Sequence, residues 1–181
     1  MESERVFEIN GNLANILNYS NFESVICLVR NRFIELFGAE VMSRIPLYVD
    51  NATQMSGYTP ITTPILGKYL CIKLGVMSFL NTPVIIFQFA HELCHYVFYS
   101  LLGLDKPFAD EREESICVAM SLCVLKDFGV DIELRKDDIE SWVDYVSKLD
   151  NLGYRKGATV AAAVNYNSNK LSSLILKEAS N

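Results

Sequence analysis

His91-Glu92-Leu93-Cys94-His95 is a stretch whose residue types and spacing could do chemistry. On a helix, residues four apart share a face, so the two imidazoles can point the same way. So placed, they can take two corners of a zinc tetrahedron, at about 2.0–2.1 Å each. Glu92 then projects beside the metal, where a carboxylate can take a proton from a metal-activated water and pass it to a leaving amine. Both histidines of the chain lie in this motif. Three ionisable groups in an apolar segment are costly unless they are paired or bind a metal.

The element that must carry the motif is a buried helix. The apolar run Pro83–Tyr99 lies between Thr82-Pro83, a cap residue with Pro at the first helical position, and Gly103, a stop. A catalytic zinc needs a third protein ligand, and no histidine remains to supply it. That excludes the H-E-x-x-H-x-x-G-x-x-H arrangement and points to a carboxylate. The acids Asp110, Glu111, Glu113 and Glu114 open the next helix, whose body, Ile116–Leu125, is apolar on nearly every side. Asp110 and Glu113 match a capping box, with Glu113 turned back to the helix start. Glu114 is in line with Val118, Leu122 and Leu125 and is the expected third ligand, with Glu111 and Glu113 as competitors.

Phe89-Ala90-His91-Glu92-Leu93-Cys94-His95, followed by Glu114-Ser115-x-x-Val118-Ala119-x-x-Leu122, resembles the ImmA/IrrE family of metallo-endopeptidases over about residues 80–126. The resemblance implies zinc on His91, His95 and Glu114, with Glu92 as the catalytic acid/base. It further implies a regulatory protein, such as a transcriptional repressor, as substrate. Cys94, Ser115 and Val118 stand where the family has Gly, Ala and Phe, and none of the three removes a catalytic group.

The other elements follow from periodicity and punctuation. Ser20 and Glu23 suggest a capping box for a helix that carries Phe22, Val25, Ile26, Val29, Phe33 and Phe37 and stops at Gly38. Val6–Ile9 fits a short strand and Leu13–Leu17 a helical turn. Ile45–Val49 reads as a strand ended by Asp50-Asn51, and Lys68–Leu74 as a strand with Leu70, Ile72 and Leu74 on its buried face. Residues 51–67, rich in Thr, Gly and Pro, read as a loop or an irregular strand pair. A third helix is expected from Asp137-Asp138 to Leu149, closed by Asn151 and Gly153, and residues 155–179 as helix in two pieces.

With 181 residues, half of them hydrophobic, the chain is long enough for one cored domain. The net charge of −6 and the lack of a Lys/Arg cluster beyond Arg135-Lys136 and Arg155-Lys156 argue against nucleic acid. The polar motif in the middle of Pro83–Leu102 argues against a membrane span. The N-terminus lacks a signal-peptide pattern, and the five cysteines, odd in number and without C-x-x-C, suit reduced, buried thiols in the cytoplasm. Cys94 is expected as a small core residue.

Together these features predict an α+β, zincin-like single domain over 1–181. A lobe over 1–80 holds a helix and a small antiparallel sheet, and a helical lobe over 81–181 carries the metal site. The expected activity is zinc-dependent hydrolysis of peptide bonds, with Lys68–Leu74 as the edge strand that holds an extended substrate. Tyr58, Tyr69, Tyr154 and Arg155 are the candidate oxyanion donors. The alternative is a non-proteolytic zinc-containing module that holds a regulatory partner. A purely structural helical domain would bind no metal.

Overall fold

The computed structural model describes residues 7–9, 19–51, 60–75, 82–129 and 136–181, so the helical turn expected at Leu13–Leu17 lies outside the described residues. In chain order the elements are β1 (Phe7–Ile9), α1 (Tyr19–Phe37), α2 (Ala39–Ser43), β2 (Leu47–Asn51), β3 (Ile61–Ile65), β4 (Tyr69–Leu74), α3 (Thr82–Leu102), α4 (Glu111–Asp127), α5 (Lys136–Ser147), α6 (Leu152–Ala163) and α7 (Ser168–Ala179). The described residues are mostly helical, with one small sheet in the N-terminal half.

α1 buries Val25, Ile26, Val29 and Phe33 and stops at Gly38, whose φ of 90° suits a residue without Cβ. It begins at Tyr19, so Ser20 lies inside the helix and is not its cap. β2 runs through Asp50 to Asn51, where the sequence suggested a turn.

The sheet is mixed, in the order β1-β2-β4-β3, and this corrects the expected antiparallel sheet. β1 pairs parallel with β2, and α1 with α2 supplies the long crossover that a parallel pair needs. β3 and β4 form an antiparallel hairpin, with positive φ at Leu66 and Gly67 in its turn. β4, not β3, takes the place beside β2, and that pair is parallel. The cause is composition. Leu70, Ile72 and Leu74 of β4 are fully buried, whereas β3 reads Ile-Thr-Thr-Pro-Ile and is half exposed.

The edge strand is therefore β3, and the expected edge, Lys68–Leu74, is interior. The Leu70 N–H donates to Pro46 O on the β2 side at 3.0 Å. Leu70 faces Pro64, so the Pro64 carbonyl, and both backbone groups of Thr62 two residues earlier, point away from β4. No other strand among the described residues covers them.

α3 lies under the sheet and is buried over most of its length. The Tyr96 hydroxyl donates to Ile45 O at 2.7 Å and accepts from Ile45 N at 3.2 Å. Ser100 donates to Val41 O at 2.6 Å, and the Gln88 side-chain carbonyl accepts from Gly75 N at 3.0 Å. These bonds fix α3 to α2 and to both ends of the sheet strands. On its other side α3 packs against α4, and α4 packs against α6.

α6 begins where the sequence suggested a stop. Asn151 caps it by accepting from Tyr154 N, and Gly153 lies in its first turn against α4. Asn suits a helix start as well as a helix end, and glycine here permits close approach. No helix among the described residues is long and apolar enough to cross a membrane.

Candidate metal centre

His91 and His95 project from one face of α3 toward the first turn of α4. The Asp110 carboxylate accepts from Glu113 N at 2.8 Å and sets the register of α4, which turns Glu114 to the histidines. The Nε2 atoms of His91 and His95 are 3.2 Å apart. Glu114 Oε2 is 3.2 Å from His91 Nε2, and Glu114 Oε1 is 3.5 Å from His95 Nε2. A tetrahedral ion with bonds of about 2.0–2.1 Å has edges of about 3.3–3.4 Å between its donors. Each spacing is close to such an edge, with a different Glu114 oxygen facing each histidine; with one ligand atom from each residue the three lie within 4.8 Å of one another, and the group could hold a metal ion. Glu114 Oε2 is buried and takes no hydrogen bond among the described residues, an orphan acceptor that a cation would satisfy.

The electrostatics also call for positive charge between these groups. Burial works to lower the pKa of His95, but hydrogen bonds to Glu113 and Glu114, with the Glu92 charge, outweigh it and raise the pKa to about 10. Burial works to raise the pKa of Glu114, yet His91 and His95 hold it well below the usual carboxylate range. With protein groups alone, a proton on His95 supplies the positive charge, and a bound cation would take that role.

Glu113 does not join the group of His91, His95 and Glu114, and its side chain does not close the expected capping box. Its Oε1 accepts from His95 Nδ1 at 2.8 Å, and its Oε2 accepts from Lys106 Nζ at 2.8 Å. Lys106, with a side chain only 3 % exposed, also lies over the Tyr99 ring at 4.4 Å. A carboxylate on Nδ1 fixes the tautomer that leaves Nε2 free to bind metal. Glu111 turns outward to an exposed ion pair with Lys156. Among the three acids, geometry therefore selects Glu114.

Glu92 is buried beside the histidines. The Thr62 hydroxyl, on β3, lies 2.7 Å from Glu92 Oε2 and 2.9 Å from the Glu92 carbonyl oxygen, and can donate to either. The free sheet edge and the carboxylate thus meet at one residue. The Tyr154 ring, from α6, packs 5.3 Å from the His91 ring. Burial, then the charges of Glu114 and Glu92, push the Tyr154 phenol well above its ordinary pKa. Phe87, one turn before His91, stacks on Trp142 of α5 at 4.5 Å.

The other expected donors are not at the site. Tyr69 projects from β4 on the face away from α3, edge-on to Tyr48. Arg155 is exposed, and Tyr58 lies outside the described residues. Cys94 is fully buried with its thiol against Cys117, as expected of a core residue. All five cysteines are free, but Cys27 and Cys71 are only half-buried. Sequence reasoning missed Thr62, Lys106 and the role of Glu113. Thr62 is far from the motif in sequence, Lys106 lies in an irregular connector without periodicity, and Glu113 carries the same acidic label as a capping residue.

No protein-family model, curated protein or solved structure matches the chain.

Proposed function

We propose that the chain is a zinc-dependent endopeptidase with a zincin-like α+β domain. The observation that carries this reading is the convergence of His91, His95 and Glu114, with the Glu92 carboxylate buried beside them and hydrogen-bonded to the sheet edge. Two imidazoles and one carboxylate are the donor set of a catalytic zinc site that keeps a fourth position open. When bound, zinc supplies a Lewis acid for the scissile carbonyl and makes the attacking water acidic. His91, His95 and Glu114 would hold the ion, and Glu113, backed by Lys106, orients His95. Glu92 takes the proton of the water and delivers it to the leaving amine. Thr62 restrains Glu92 and, through its backbone groups, offers an extended peptide its first ladder bonds. The resemblance to ImmA/IrrE peptidases supports a regulatory protein, such as a transcriptional regulator, as the substrate.

Protein purified without added metal should carry one zinc per chain. Glu92→Gln should keep that zinc and lower the cleavage of a mixed peptide library by about 10²–10⁴-fold. Elemental analysis and mass spectrometry of the digests are the measurements. Zinc well below one per chain, with no uptake on addition, would remove the site. Tight zinc without cleavage by the parent would favour a module that holds a protein partner without cutting it.

A further inference from the structure

The geometry points to Tyr154 as a catalytic residue, whose hydroxyl donates a hydrogen bond to the oxyanion formed during peptide hydrolysis. The assignment rests on the peptidase reading for its reaction, and it stands on separate observations. The Tyr154 ring lies 5.3 Å from that of His91, tilted by 39°, so the phenol flanks the metal ligands. It comes from α6, whereas Thr62, the hydrogen-bond partner of Glu92, comes from β3. No described residue takes a hydrogen bond from its hydroxyl, although the ring is half-buried beside charged groups. A phenol O–H is a hydrogen-bond donor.

The packing explains why the ring sits there. α6 carries glycines at 153 and 157, four apart on one face, and they meet Glu114 and Val118, four apart on α4. A Cβ at Gly153 would come within 2.9 Å of Glu114 Cβ, and one at Gly157 within 2.4 Å of Val118 Cγ1. Each glycine in a helix costs about 0.5–1 kcal/mol relative to alanine, so the pair calls for a positional reason. Their effect is to bring the α6 backbone down onto the ligand-bearing turn of α4. Tyr154, the next residue after Gly153, is thereby fixed over His91.

In the step itself the water oxygen bonds to the carbonyl carbon and its proton goes to Glu92. The carbonyl electron pair moves to oxygen, which accepts the Tyr154 hydrogen bond. The pair then returns, the C–N bond breaks and Glu92 delivers its proton to the nitrogen. Tyr154 keeps its own proton throughout.

Tyr154→Phe retains the ring and its packing and removes the donor. Zinc affinity, measured by titration, should equal that of the parent. Inorganic phosphate, a tetrahedral oxyanion without sequence preference, is the probe for the donor. Calorimetry should show it binding the zinc-loaded variant about tenfold or more weakly than the zinc-loaded parent. Where the parent cuts a peptide, kcat should fall about 10²–10³-fold with little change in KM. Equal phosphate affinity in both proteins, or no phosphate binding by the zinc-loaded parent, would overturn the assignment. So would loss of zinc from the variant, which would make the phenol a ligand. If the parent cuts no peptide while the variant still loses phosphate, the peptidase reading fails and the oxyanion donor stands.

Discussion

Two adjacent acids at the start of α4, Glu113 and Glu114, do different work. Successive helical residues point about 100° apart, and here that separation sends one carboxylate between the two imidazoles and the other behind His95. Glu114→Ala should therefore cause the largest loss of zinc affinity. Glu113→Ala should weaken zinc by about 10–100-fold, because it releases the tautomer of His95 and strands the buried Lys106 ammonium. Glu111→Ala should change little, because that acid is in an exposed pair with Lys156. A competitive zinc titration of the three variants gives the order, and Glu113→Ala equal to the parent would remove the supporting role. The grouping of His91, His95 and Glu114 was legible in sequence because His91 and His95 have a fixed spacing and Glu114 continues an apolar stripe. The supporting set was not, because Lys106 reaches Glu113 through a connector whose path no periodicity encodes.

Among the elements, α3 and α4 were legible from their punctuation: Thr82-Pro83 and Gly103 bound the first, and Asp110 caps the second. The sheet was misread because pairing depends on burial across strands. β4 became interior through Leu70, Ile72 and Leu74, and its partner choice turned the sheet mixed. Gly153 was misread because a glycine that stops a helix and one that lets two helices touch look alike in sequence. The contact is testable through its neighbour. Gly157→Ala would gain helix propensity in isolation, but its methyl meets Val118, and overpacking of this kind costs about 1–3 kcal/mol. The double variant Gly157→Ala/Val118→Ala should recover much of that loss, as read by urea unfolding. A single variant as stable as the parent would mean that α6 does not press on α4 as described.

For the whole molecule, the candidate metal centre lies between α3 and α4, which also meet through apolar packing and the His95–Glu113 bond. α3 brings the sheet and α1 with it, and α4 brings α6, so a cation on His91, His95 and Glu114 ties the two halves together. Binding to the folded state alone stabilises it by about 4 kcal/mol at a free concentration 1,000 times Kd. The melting temperature should accordingly rise with zinc and fall to a constant value with excess chelator. A melting temperature indifferent to both would argue against a shared site between α3 and α4.

The outer side of β3 has a further consequence for the life of the molecule in a crowded solution. An open sheet edge is a template for any other chain, including a copy of its own, and such pairing propagates into aggregates. Here the row of outward groups is interrupted. Thr62 presents both a donor and an acceptor, but Pro64 presents an acceptor alone. Two copies laid edge to edge would lack a donor at each proline, whereas a single visiting strand can still pair at Thr62, the residue that touches Glu92. The proline thus leaves the groups of Thr62 open to pairing while denying the edge the continuous ladder of a fibre.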